Sequence, residues 1–168
     1  MEDKQYDVDA VIAWLDQYRD TEEEIDGQIE RLERLESRMQ GISAQVLTGM
    51  PRSSNASTDR MADMLSQKED LEKSINEAVK QQSLERVRIE SVLKKSCKPE
   101  EKSVIRMRYI DRSEWEDVLD MLYGGKPDFL EKEDSYERRM YRKRESALWK
   151  MARYLEETGQ LNIAISAT

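Results

Sequence analysis

Apolar side chains fall at Val8, Val11, Leu15, Tyr18, Ile25, Ile29, Leu32, Leu35 and Met39, in steps of three and four broken only where the polar Glu22 stands. Such spacing keeps one stripe on one side of an α-helix, as a coiled-coil seam does. It predicts a single helix over roughly 6–41, stopped by Gly41 and then by TGMPRSSNAST at 48–58, where Gly, Pro, Ser and Asn cluster. A second seam, Met61, Leu65, Leu71, Ile75, Val79, Leu84, Val87, Ile89, Val92 and Leu93, is interrupted at Lys68 and Gln82 and predicts another helix over roughly 59–95. A long helix with one apolar stripe cannot bury that stripe by itself. The two segments therefore fold back as an antiparallel hairpin or pair with a second chain.

Composition points the same way. Three Pro and six Gly in 168 residues leave long windows of strong helix formers, and 38% charged residues with one Phe leave little for a broad core. The fold class expected is all-α. Residues 1–50 carry thirteen acids against five bases and residues 51–98 eight against ten, so the paired halves attract weakly. With no His and the single Cys97, neither a zinc site nor a Cys/His or Ser/His nucleophile can be assembled. Cys97 reads as a buried thiol. Glu22, Glu23, Glu24 and Asp26 point different ways around one helix and read as a solvated face, not a cation site. No cofactor, metal, membrane partner or small-molecule substrate is expected, nor enzymatic activity, because long paired helices make few pockets. No run approaches the roughly 18 apolar residues of a membrane span, and the acidic start MEDKQYDVDA is unlike a secretory signal, so the expected location is the cytoplasm.

From Lys98 short helices follow one another. Pro99 suits the first position of a helix PEEKSVIRMRYI that buries Val104, Ile105 and Tyr109. Asp111 and Arg112 turn the chain. Ser113 with Glu116 forms a capping-box pattern opening SEWEDVLDMLY, whose Trp115, Val118, Leu119 and Leu122 share a face, and Gly124 closes it as a C′ residue. A final helix over 135–155 holds seven bases, Arg138, Arg139, Arg142, Lys143, Arg144, Lys150 and Arg153, against Glu137 and Glu145, in a chain of net charge −8. A net positive charge concentrated on one helix of an acidic protein marks the place where a polyanion is met. Met140, Ala147, Leu148, Met151 and Leu155 form the apolar stripe of that helix, so Arg138, Arg139, Arg142 and Lys143 cannot all pack inward. Trp115, Trp149 and Tyr109 sit at helical spacing among aliphatic residues and read as core.

The stretches SVIRMRYI, SEWEDVLDMLYG and YERRMYRKRESALWKM resemble region 4 of bacterial sigma factors, in which an RMRY-like helix, a support helix and a recognition helix ending in A-L-x-K-L succeed one another. Over most of its length the chain resembles phage late-gene transcription regulators of the RinA and ArpU type, with an N-terminal coiled coil, a GMPR loop (Gly49, Met50, Pro51, Arg52) and a sigma-like domain. That resemblance implies a coiled-coil hairpin over 1–97, a helix-turn-helix DNA-binding domain over 98–157 and a tail over 158–168. The helix that opens with Tyr136 would be the DNA reader. One departure is plain: the 124–134 insert has eleven positions, four of them acidic, where sigma region 4 has a short turn.

Forked guanidinium donors at Arg138, Arg139 and Arg142 suit guanine edges or phosphates, Glu137 suits a cytosine amino group, and Lys143 and Lys150 suit the phosphate backbone. The expected function is sequence-specific binding of double-stranded DNA to regulate phage late or packaging genes in a bacterial host. A dimer, formed through the coiled coil, would set two half-sites at fixed spacing. That coiled coil is also a candidate contact for host RNA polymerase. Two alternatives stand beside it: a small terminase subunit that packages DNA, and an interaction protein that occupies polymerase without binding DNA.

Overall fold

The computed structural model describes residues 6–47 and 54–161, with side chains at 6–44 and 58–161. Every regular element among them is helical: α1 (Val8–Leu47), α2 (Ser54–Ser96), α3 (Pro99–Ile105), a π-helical turn (Arg106–Ile110), α4 (Trp115–Tyr123) and α5 (Glu133–Glu157). The protein is thus all-α. No described helix is long and apolar enough to cross a membrane. The GMPR loop at 49–52 and the tail beyond Leu161 lie outside the described residues.

Helix α1 runs through Gly41, where the sequence pattern had placed its end. One glycine in an exposed helix interior costs only about 1 kcal/mol relative to alanine, too little to break a helix of 40 residues. Helix α2 likewise starts earlier than 59, at Ser54.

The chain divides into two compact units, a hairpin unit of Thr21–Ser83 and a head unit combining Met1–Asp20 with Leu84–Thr168. Within the hairpin unit α1 and α2 run antiparallel: Ser74 Oγ donates to Gln28 Oε1 at 3.5 Å, and Lys68 Nζ, earlier in α2, meets Glu36, later in α1, at 2.7 Å. Its apolar centre is thin. Ile25 and Ile75 are the buried apolar side chains described there, while Ile29, Leu65 and Val79, all seam positions, are exposed. Leu84 and Val87, assigned to the same seam by spacing, are exposed on the head unit.

The head holds most of the buried apolar surface. Val11, Trp14, Leu15 and Tyr18 of α1 and Ile89, Val92, Leu93 and Cys97 of α2 pack with Ile105, Tyr109 and Ile110 and with Ala147, Leu148, Met151, Ala152 and Leu155 of α5. Residues 8–18 and 89–97, assigned by sequence to a separate coiled coil, therefore share the core of the C-terminal helices. The physical reason is that a two-helix strip cannot enclose Trp14, Leu15 and Leu93 unless a third helix covers it. A second cluster joins Val104, Val118, Leu119, Tyr123, Tyr136 and Met140. Adjacent residues Val104 and Ile105 of α3 feed the two clusters separately. Helix α5 consequently rests on α4 under its first half and on the α1–α2 base under its second, with α3 packed against both halves.

Local signals explain most boundaries of the head. Pro99 occupies the start of α3, where its missing N–H costs nothing, and Glu101 Oε2 accepts from the Lys98 backbone N–H at 2.7 Å. The π-helical turn over RMRYI ends at Ile110, and two residues on Arg112 takes a left-handed φ of 60°. Helix α4 begins at Trp115 after Glu114, with no side-chain cap, so the Ser113–Glu116 capping box does not form. Gly124 ends α4 with right-handed φ −57°, not as a left-handed C′ residue. Glycine is required there by space: a Cβ would lie 2.6 Å from the Asp120 carbonyl oxygen and would also strike that residue's carboxylate.

Candidate nucleic-acid interface

Helix α5 begins at Glu133, two residues before the start read from sequence, and Glu133 and Asp134 form its acidic first turn. Carboxylates there favour the positive end of the helix dipole. They also place negative charge at the leading end of the helix, so the cationic surface starts one turn in, at Arg138.

Arg138, Arg139, Arg142 and Glu137 are all exposed. Arg138 Nε donates to the Asp134 carbonyl oxygen at 3.0 Å, and the Arg139 guanidinium lies 5.4 Å from the centre of the Tyr136 ring. Arg142 has no side-chain partner among the described residues. The three guanidiniums fall within five positions, on the side of α5 away from the buried Met140, each retaining free donors.

The other expected contacts are placed differently. Tyr136 is buried, stacked on Tyr123 with ring centres 4.8 Å apart, and its hydroxyl donates to Asp128 Oδ1 at 2.7 Å. Asp128 also receives Lys132 Nζ at 2.8 Å, and these two hydrogen bonds lower its pKa to about 2. Tyr136 thus fastens the 124–132 insert to α5, with its ring set against α4. Lys143 Nζ pairs with Glu100 at 2.7 Å and lies 5.3 Å from the Tyr123 ring centre. Burial opposes its charge, but the hydrogen bond to Glu100 and the nearness of Tyr123 outweigh this and raise its pKa. Lys150 Nζ pairs with Glu101 at 2.5 Å, beside Ser146 Oγ, which donates to the same oxygen at 2.7 Å. Lys143 and Lys150 are therefore both paired with α3, Lys143 with the exposed Glu100 and Lys150 with the buried Glu101. Each had to neutralise a carboxylate that α3 brings within reach, which residue type alone does not reveal.

Arg144 is also internal, with its guanidinium 5.4 Å from the Trp115 ring centre and Nη2 donating to Tyr109 Oη at 3.4 Å. Trp149, read from sequence as core, is 44% exposed, edge-on to Tyr6 at 5.3 Å and beside the Arg153 guanidinium at 5.8 Å. Arg138, Arg142, Trp149 and Arg153 lie four, seven and four positions apart, which sets them on one side of α5. That spacing was the available signal for Trp149 and Arg153. Arg153 is partly engaged by Glu157 at 2.8 Å, an exposed pair one turn away.

The DUF1492 pattern, described as a protein family of unknown function, matches residues 42–140 of this sequence. The chain belongs to the DUF1492 family. In this DUF1492 protein the match runs through α2, α3, the π-helical turn and α4 into the first two turns of α5, taking in Arg138 and Arg139. No curated protein and no solved structure matches it.

Proposed function

We propose that this protein is a double-stranded DNA-binding regulator that reads its site with the first half of α5, as the resemblance to sigma region 4 and to RinA- and ArpU-type phage regulators implies. One observation carries the reading: Arg138, Arg139 and Arg142 stand exposed on a helix whose apolar side is fully occupied by α4 and the helical base, while the neighbouring lysines are neutralised internally. A rigidly backed helix with free guanidiniums is what a major groove admits. The protein acts as a dimer, so its operator has two half-sites, and the regulated genes are phage late or packaging genes in a bacterial cytoplasm. The hairpin is the candidate contact for host polymerase.

Footprinting on DNA flanking the protein's own gene tests this. Protection of one site, abolished by Arg138→Ala/Arg139→Ala/Arg142→Ala with helicity unchanged, is the expected result. If all three guanidiniums neutralise phosphates, the slope of log affinity against log salt is near −2.7 for each head bound, and it is shallower for each one that reads a base edge instead. Binding without salt dependence, or unaffected by the triple substitution, overturns the reading. Retention of core polymerase with no binding to any duplex would favour the interaction-protein alternative, and ring-sized oligomers the terminase alternative.

A further inference from the structure

In the hairpin unit, Glu23, Gly27, Arg31, Arg34 and Arg38 of α1 follow in steps of four, four, three and four, and so share one side of the helix, with Glu24 at its edge. All six residues are exposed. Along that side the charge reverses, from carboxylates through a glycine to guanidiniums. Arg31, Arg34 and Arg38 are three of the five bases in residues 1–50, and they line one open groove of about 610 Å³ with Leu35, Leu71 and Asp70. Glu23, Glu24, Arg31 and Arg38 have no side-chain partner among the described residues, and Arg34 meets only the exposed Glu30 at 3.5 Å.

A face that is acidic at one end and basic at the other complements itself when two copies lie antiparallel. A register that sets Gly27 against Arg31 also sets Glu24 against Arg34, because both pairs are symmetric about position 29. Nothing lies within 4 Å of where a Gly27 Cβ would be, which leaves room for the long Arg31 side chain of the other copy. A parallel register would instead oppose like charges, so the pattern specifies orientation as well as contact. Leu35 and Leu71, half-buried at the groove, would be covered, in a unit whose own buried apolar residues are Ile25 and Ile75 among those described.

We propose that this side of α1 is a two-fold antiparallel interface in which the Glu23–Glu24 segment of a second copy seats in the Arg31, Arg34 and Arg38 groove. It rests on the dimeric part of the reading above, and mass measurement reads it without DNA. Sedimentation equilibrium of the full chain at low salt is expected to give a dimer that weakens as salt is added. Arg34→Glu and Glu24→Arg, both on exposed helix positions, should each raise the dimer Kd about tenfold or more, since like charges then meet twice. The double variant Glu24→Arg/Arg34→Glu should return it to within about threefold of the parent, with helicity by circular dichroism the same in all four proteins. A monomeric parent at about 100 µM, a concentration well above what a specific dimer needs, overturns the proposal. So does a double variant no tighter than either single one. If Arg34→Glu leaves the mass unchanged but weakens duplex binding, the groove holds phosphates and the interface is refuted. A dimer that behaves as expected yet binds no DNA refutes only the DNA reading.

Discussion

Glu101 is 7% exposed, yet its carboxylate takes three hydrogen bonds, from the Lys98 backbone, Ser146 and Lys150. Burial pushes its pKa up, and the partners, Lys150 first, pull it further down, so that it ends below the ordinary value. A depressed pKa means stability that is complete above the unfolded value near 4.5 and is lost as pH falls through the folded one. Glu101→Gln removes the charge opposite Lys150 and should cost about 1–3 kcal/mol by urea unfolding at pH 7. At pH 3 the difference from the parent should shrink. An equal difference at both pH values would mean that the ion pair contributes nothing. The same contact separates Lys150 from Arg142, two cations of one helix that nothing in their local sequence distinguishes.

Helix α5 does two jobs because its apolar stripe is longer than any single neighbour. Tyr136 and Met140 dock on α4, and Ala147 to Leu155 dock on the head's helical base, which fixes the axis of the helix and the direction its guanidiniums face. The angle between α4 and α5 depends on the 124–132 insert, closed by Asp128 with Lys132 and Tyr136 and started by Gly124. Gly124→Ala should destabilise the protein by about 1–3 kcal/mol in thermal or chemical unfolding. Adding Asp120→Ala should recover only part of that loss, since the Asp120 carbonyl oxygen remains 2.6 Å from the new methyl. Full recovery would show that the side chain alone caused the clash. Existence of the elements was readable from spacing, but their ends were not: Gly41 did not stop α1, and the capping box before α4 did not form. Propensity differences of about 1 kcal/mol decide an end only where packing is indifferent.

The two compact units differ sharply in how much they bury, so they should differ in local stability. Hydrogen exchange in salt sufficient to suppress charge-driven association should leave amides of 25–40 and 65–80 markedly less protected than those of 89–97 and 147–155. Uniform protection would contradict the thin centre described for the hairpin unit. What the amino-acid order determined by itself is the all-α class, the long paired helices, the short helices after Lys98 and the concentration of bases in α5, because periodicity and charge are properties of neighbours along a chain. Tertiary structure alone decided that residues 8–18 and 89–97 belong to the head core, that Tyr136, Lys143 and Lys150 are spent on internal partners, and that Trp149 faces outward. Apart from Tyr136, whose partners Asp128 and Tyr123 stand 8 and 13 positions before it, those outcomes depend on which carboxylate or apolar surface arrives from about 40 to 145 residues away, and a local pattern carries no record of that arrival.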